Sequence, residues 1–423
     1  AASDVYKRQH LMVVNIHEKI GGFILDILVV TNSCSQKKYD EICEKRIKPS
    51  IDPQQKFFRL MIEGLFKSNK GNVTALSALP VSASTVKKKK FHFEEDITDV
   101  GVAYCYLPFK NGKITRYLSL LFSARKYVKT WCKENNSKNA FIIVDPLVPV
   151  IAIPTRKVAQ KLGFRVCAVV TDLPTLSTNM KERKESLIKK KLLSIYQKLA
   201  DKDLRSYDAY VPLTKSINDV VNPKEKPYVI IEGFADYNDD QLSTVHDNYI
   251  MYAGGVYEKY GVKTLVEAFL KLKRNDIELH IFGEGSYTGE LELISRNNPK
   301  VKYMGCVTPD KVVEYEKRAL LLVNPRPTNE TFSKFSFPSK TMEYLLSGTA
   351  VVSTKLPGIP EEYFDYMFSF DSDDRDSIFD KLNELLNFSN IELIDKGKLA
   401  HDFVLQNKNC LLYTSPSPRD STS

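Results

Sequence analysis

Two cations, a carboxylate and a helix start are strung along one stretch of this chain. The apolar run Leu320-Leu-Leu-Val323 leads into Asn324-Pro-Arg326, and after a short polar loop comes Ser336-Phe-Pro-Ser-Lys-Thr-Met-Glu343. Arg326 and Lys340 suit anionic oxygens, and a helix opening around Pro338 and Ser339 adds backbone N–H donors and a positive dipole end. Glu343, one turn beyond Lys340, can accept hydrogen bonds from ribose or sugar hydroxyls. This is chemistry for holding a phosphorylated ligand. The plain alternative is a strand and helix whose charges are solvated.

Other residues fit the same chemistry. Gly254-Gly255 follows an apolar run and lets the backbone turn tightly and approach a diphosphate without a Cβ in the way, and Lys259 lies just beyond. Gly283-Glu284-Gly285 closes the next apolar run and would admit a base or ribose against the backbone, although such a loop is also an ordinary turn. Asp172 ends a further apolar run, before Leu173-Pro174, where a turn or helix cap is the competing role. Asp201-Lys-Asp203 and Asp371-Ser-Asp373 have a metal-binding look. The first lies in a basic helical segment, and the second precedes a helix whose positive end carboxylates favour. The six histidines fall at no catalytic position, so neither a metal nor any other cofactor is expected.

Composition bounds the possibilities. A chain of 423 residues with 43% hydrophobic content can fill two cores. The net charge of +9 suits anionic small molecules or an acidic membrane face and falls short of a nucleic-acid binder. Seven scattered cysteines without a Cys-x-x-Cys pair imply a reducing cytoplasm. No apolar run approaches the roughly 18 residues that span a bilayer. Residues 1–9 and 411–423 resemble translated sequencing-adapter read-through, so the natural chain is expected to start near Met12 or later and to continue past about Cys410.

The elements that must position these groups alternate. Strand patterns over Ile24–Thr31, Asn72–Leu79, Ala140–Val144, Arg165–Thr171, Ala209–Leu213 and Tyr228–Ile231 are separated by helical patterns such as Gln54–Asn69 and Ile114–Glu134, which predicts a mainly parallel sheet. Phe91–Phe109, turning at Asp99-Val-Gly101, predicts an added antiparallel hairpin. An acidic polar linker over 237–248 precedes a second series that restarts at Tyr249. The fold class is α/β, with two Rossmann-like domains at 10–236 and 249–385 and a helical segment, cut short, at 386–410.

The stretches Tyr252-Ala-Gly-Gly-Val-Tyr-Glu-Lys-Tyr-Gly-Val-Lys-Thr-Leu-Val-Glu-Ala-Phe269, Phe282-Gly-Glu-Gly285, Asn324-Pro-Arg326, Phe337-Pro-Ser-Lys-Thr-Met-Glu-Tyr344 and Gly348-Thr-Ala-Val-Val352 resemble, in this order, the donor-binding domain of bacterial family-four (group 1) retaining glycosyltransferases of the capsular and exopolysaccharide type. A weaker likeness runs through Asp172-Leu-Pro174, Ser206–Thr214 and Val229–Gly233. The resemblance implies the GT-B fold, with two Rossmann-like domains facing across a cleft, the first for the acceptor and the second for a nucleotide sugar such as a UDP-sugar. It implies donor contacts from Gly254, Gly255, Lys259, Gly283, Glu284, Gly285, Ser336, Phe337, Pro338, Ser339 and Glu343, with Glu343 on the ribose and Asp172 at the floor of the acceptor cleft. Two family cations are replaced here by Gly255 and Tyr260, and Phe335 stands where the family has a first glutamate. Lys340, Arg326 and Lys259 are the candidate replacements, Lys340 foremost.

The expected protein is thus a cytoplasmic glycosyltransferase that works without metal or cofactor. It would move a sugar, with retention, from a nucleotide-diphosphate donor to a cell-surface glycan in polysaccharide or capsule biosynthesis, through an acceptor that is lipid-linked. Lys340, Arg326 and Asp172 are the expected catalytic residues. A sugar-nucleotide epimerase and a non-catalytic nucleotide-sugar-binding partner are the alternatives. The segment Lys181–Arg205 carries an apolar stripe and a basic face including Lys189, Lys190 and Lys191, and is expected to make the peripheral contact with an anionic membrane at the inner leaflet. The Lys87–Lys90 run reads as a solvated hairpin flank, with contact to anionic lipid as the lesser alternative. No nucleic-acid partner is expected.

Overall fold

Strand runs such as Leu28-Val-Val30, Ala140-Phe-Ile-Ile-Val144 and Val166-Cys-Ala-Val-Val170 are apolar on both faces, which suits strands in the middle of a parallel sheet covered by helices on each side. A computed structural model, describing residues 25–46, 53–68, 71–174, 200–236, 242 and 246–409, places them there. The chain divides into two units, one of residues up to Phe234 and one spanning Ala235–Asn409.

In the first unit, β1 (Asp26–Thr31), β2 (Val73–Ser77), β4 (Glu94–Ile97), β5 (Ala103–Tyr106), β7 (Ala140–Val144), β8 (Val166–Val170) and β9 (Ala209–Pro212) form a sheet in the order β4-β5-β2-β1-β7-β8-β9. Between them, β3 (Lys90–Phe91) and β6 (Phe109–Lys110) pair antiparallel as a small separate sheet. All neighbours in the main sheet are parallel except β4 on β5, the expected hairpin, with Glu94 opposite Tyr106. The expected strand Tyr228–Ile231 is a correction. It follows β9 through Val229 N–H to Tyr210 O and Ile231 N–H to Pro212 O, but only Tyr210 and Tyr228 form a bridge. Pro212 lacks the N–H that the Val229 carbonyl would accept in the next bridge, so no regular ladder builds.

In the second unit, β10 (Tyr249–Ala253), β11 (Glu278–Phe282), β12 (Val301–Gly305), β13 (Leu321–Asn324), β14 (Val351–Ser353) and β15 (Phe368–Ser369) form an all-parallel sheet in the order β12-β11-β10-β13-β14-β15. Its order reverses between β10 and β13, and in such sheets ligands bind beyond the carboxyl ends at that switch. Apolar clusters cover both faces, one built with Leu265, Phe269 and Leu382, the other with Phe337, Tyr344 and Phe403. Helix ends follow their local chemistry: the Asp374 carboxylate takes the N–H groups of Asp376 and Ser377, and Ser389 with Glu392 forms a capping box for the helix Asn390–Asn407.

Candidate functional site

The carboxyl end of β10 is the anchor of the second unit's site. Tyr344, fully buried on the helix Ser339–Leu346, receives the Ala253 N–H at 2.7 Å and donates to the Ala253 carbonyl at 3.3 Å. This fixes the helix against the strand just before Gly254. Tyr252 donates to the Gly255 carbonyl at 2.9 Å, curling the loop back on itself. The helix has Pro338 at its N-cap position and no side chain bonded to its first turn, so its start keeps donors for an anion.

The glycines of Gly283-Glu284-Gly285 serve packing between loops. Gly283 has φ +119°, and a Cβ there would lie 1.9 Å from the Gly254 carbonyl oxygen; one on Gly285 would lie 2.0 Å from that of Val256. The two loops are stitched by Gly254 N–H to Phe282 O and Val256 N–H to Glu284 O. The glycines are thus required by loop packing whether or not a ligand approaches, and Glu284 is exposed. Gly261, at φ +77°, admits the Pro325 carbonyl where a Cβ would sit 1.9 Å from it, which brings the loop after β13 against the turn Glu258–Tyr260.

That approach seats Arg326. Its guanidinium lies 4.8 Å from the centre of the Tyr260 ring and 5.4 Å from that of Phe332, and the two rings meet edge to face. No carboxylate among the described residues pairs with Arg326, and burial lowers its pKa from the ordinary value. Thr354 donates to its backbone carbonyl, and Asp373 holds the same loop by accepting the Thr328 N–H and hydroxyl at 2.7 and 2.8 Å. Lys259 sits 5.5 Å over the Tyr257 ring.

Lys340 is in the opposite situation. Its Nζ lies 3.1 Å from Oε1 of Glu316 and 2.5 Å from Oε2 of Glu343. Burial works to lower the Lys340 pKa, but the charges of Glu316 and Glu343 outweigh it and raise it. The expected turn-spaced pair is present, with each partner occupied by the other. Of the two cations, Arg326 is the one that no carboxylate of the described residues pairs with. Glu316, fully buried on the helix Pro309–Arg318, is missing from the sequence reading. Its signal was a charged residue at the position, three and four beyond Val313 and Val312, where the helix turns inward. Phe337 packs its ring 5.4 Å from that of Tyr363, leaving only its backbone for a ligand, and the Ser336 carbonyl is pressed against Gly358. Pro338 is buried and Ser339 exposed.

In the first unit Asp172 accepts the Leu173 N–H at 2.7 Å; burial raises its pKa and that bond opposes the rise. A second acid, Asp145, was missed. It follows β7 as Asp172 follows β8, is fully buried, and is pushed up to about 7 by burial, against a bond from the Leu147 N–H. Its Oδ2, the Ser77 hydroxyl and Oδ1 of Asn32 are buried without a hydrogen-bond partner among the described residues. Thr31 pairs in register with Ser77, so these atoms sit at the ends of three adjacent strands, β2, β1 and β7. Lys189, Lys190 and Lys191 lie outside the described residues, as does most of the expected linker. Asp203 is held by Arg156 and Tyr207, and no group of three metal-ligating residues is present among the described residues. No described helix is long and apolar enough to cross a membrane.

Residues 247–387 match the profile of the family "Glycosyl transferases group 1". No curated protein matches the chain in sequence. Among solved structures, the chain is similar to sucrose-phosphate synthase from Thermosynechococcus elongatus, at 13% identity and TM-score 0.58 over 92% of this chain and 96% of that one. It is similar also to Anabaena HepE in complex with UDP and glucose, at 10% identity and TM-score 0.57 over 92% and 97%. The lipopolysaccharide outer core galactosyltransferase WaaB in its apo form gives 12% identity and TM-score 0.54 over 90% and 97%. At such identities these likenesses concern the fold, which is GT-B with two Rossmann-like domains. The protein is a glycosyltransferase of that fold, and its second unit carries the group 1 domain.

Proposed function

We propose that the second unit binds a nucleotide-diphosphate sugar and that the protein transfers the sugar, with retention and without a metal, to a glycan acceptor held by the first unit. The observation that carries this reading is Arg326, a cation walled by Tyr260 and Phe332 and matched by no carboxylate of the described residues. A half-buried guanidinium that no carboxylate of the described residues pairs with stabilises an arriving anion more than an exposed one would, because water screens it less. As the bond between sugar and phosphate breaks, charge grows on the leaving diphosphate. Arg326 and the uncapped helix start are placed in advance to receive it. Lys340 approaches the same region, since its charge and that of Arg326 both act on Tyr252. Glu343 would take the ribose hydroxyls once Lys340 turns to phosphate.

Two similar structures hold UDP ligands, UDP-2-fluoro glucose in one and UDP with glucose in the other, so UDP-sugars are the first donors to test. The acceptor reading rests on Asp145 and Asp172, acids at neighbouring strand ends whose protonated forms burial favours. A neutral acid can donate to a sugar hydroxyl as well as accept from it. A lipid-linked cell-surface glycan in polysaccharide biosynthesis is the acceptor class proposed. Incubation with UDP-glucose, UDP-galactose and UDP-N-acetylglucosamine should release UDP slowly by donor hydrolysis. No release and no binding of any nucleotide sugar would refute the transferase reading; interconversion of the sugars without transfer would replace it with an epimerase.

A further inference from the structure

The helix Thr115–Glu134 has one partnered side and one bare side. Leu120, Ala124, Val128 and Trp131 are buried, and the helix packs against the helix Pro149–Lys161. Away from that side, Leu118 and Phe122 are 53% and 65% exposed, and at the helix start Ile114, just before it, and Tyr117, on the line of Leu120 and Ala124, are 73% and 52% exposed. Single exposed apolar residues are common, but these four gather at one end of the helix, with Ile114, Leu118 and Phe122 spaced by four along one face. Helical periodicity continues this face through Arg125, Lys129 and Lys133, all exposed, with Lys126 at its edge.

More bases frame the start of the helix. Lys113 and Lys110 are exposed, and the Lys87–Lys90 run, also exposed, is fixed alongside them. The Asn111 N–H donates to the Lys89 carbonyl at 2.8 Å and its buried side-chain amide to the Lys88 carbonyl at 3.0 Å. Between Lys110 and Lys133 the sequence contains no Asp or Glu. Arg116, the one base there that turns inward, reaches the Leu79 carbonyl and lies over the Phe109 ring.

We propose that this face docks on an anionic phospholipid bilayer. Ile114, Tyr117, Leu118 and Phe122 would enter the boundary between headgroups and acyl chains, while the lysines and Arg125 meet lipid phosphates with their aliphatic stems along the apolar patch. The charge argues for lipid over a second copy of this chain, since two such faces would repel. The inference is independent of the donor reading and uses a surface other than the segment Lys181–Arg205.

Co-sedimentation of the full chain with vesicles tests it. Binding to vesicles of phosphatidylcholine with phosphatidylglycerol should exceed binding to phosphatidylcholine alone by about tenfold and fade with added salt. Leu118→Ser with Phe122→Ser, and separately Arg125→Gln with Lys126→Gln and Lys129→Gln, should each reduce that binding by about tenfold without lowering Tm, as all five side chains are exposed. Equal binding to both vesicles, or full binding by both variants, would overturn the proposal. A dimer in vesicle-free solution that the Leu118→Ser, Phe122→Ser variant abolishes would reassign the face to a second copy.

Discussion

The two sheets present opposite electrostatics at their carboxyl ends. In the second unit the strand ends carry cations: Arg326 stands between aromatic rings with no carboxylate of the described residues beside it, and Lys340 is held by Glu316 and Glu343. In the first unit the titratable groups there are acids, Asp145 buried and Asp172 half-buried, each accepting a backbone N–H. An arriving diphosphate gains from the first arrangement and finds no cation in the second, whereas neutral hydroxyls suit the second. The proposed division of labour between donor and acceptor rests on this difference.

The largest change is expected where the second unit's charges are mutually compensated. Lys340→Ala removes the cation that lies between the buried Glu316 and Glu343, and should cost ~3 kcal/mol of stability; this is at the low end for a broken buried pair because Lys340 keeps 33% of its side chain exposed. Chemical denaturation would measure it. Adding Glu316→Gln should restore most of the loss. An undiminished midpoint in Lys340→Ala would mean that the triad does not matter to the fold.

The first unit should show its contrast as a pH dependence. The Asp145 carboxyl titrates at about 7 in the fold, well above the ordinary value of an unfolded chain. Between pH ~4 and 7 the unfolded chain therefore releases a proton that the native state retains, so this group makes stability fall as pH rises, levelling off above about 7. Asp145→Asn should be of similar stability at pH 4 and gain on the order of 4 kcal/mol relative to the parent by pH 8. A constant difference across that range would show that Asp145 is ionised at an ordinary pKa.

Smaller effects sharpen the donor side. Glu343→Ala should weaken nucleoside binding by about 1 kcal/mol in calorimetry, the worth of a hydrogen bond to ribose, provided that Lys340 remains folded against Glu316. Identical affinity would remove Glu343 from the ribose. Activity should survive chelation, because side-chain cations can carry the charge of the leaving group; loss with chelator and recovery with magnesium or manganese would reverse that expectation.

Much of this architecture was legible because its signals are local. Ala140–Val144 is a strand over the residues its apolar run marked, the hairpin turns at the Asp99-Val-Gly101 signal, and the helix at Ser339 opens behind Pro338. What escaped depends on neighbours distant in sequence. Glu316 becomes the partner of Lys340 only when two helices meet, and Asp145 is perturbed only because β7 lies next to the middle of its sheet. Arg326 was read as a candidate cation for phosphate without its walls, since Tyr260 reaches it through the contact that Gly261 permits. The glycine loop after β11 was read two ways, and its packing against Gly254 and Val256, which join it only in the fold, accounts for the glycines under either reading.

The central claim is that Arg326 is the cation held ready for the donor's diphosphate. Calorimetric titration of UDP and of uridine into the parent protein and into Arg326→Ala tests it most directly. The parent should prefer UDP, and Arg326→Ala should lose roughly 2–3 kcal/mol of that preference, the scale of hydrogen bonds to charged groups, while its uridine affinity and Tm stay unchanged. An equal preference for UDP in both proteins would contradict the account and leave Arg326 a packed side chain between two rings.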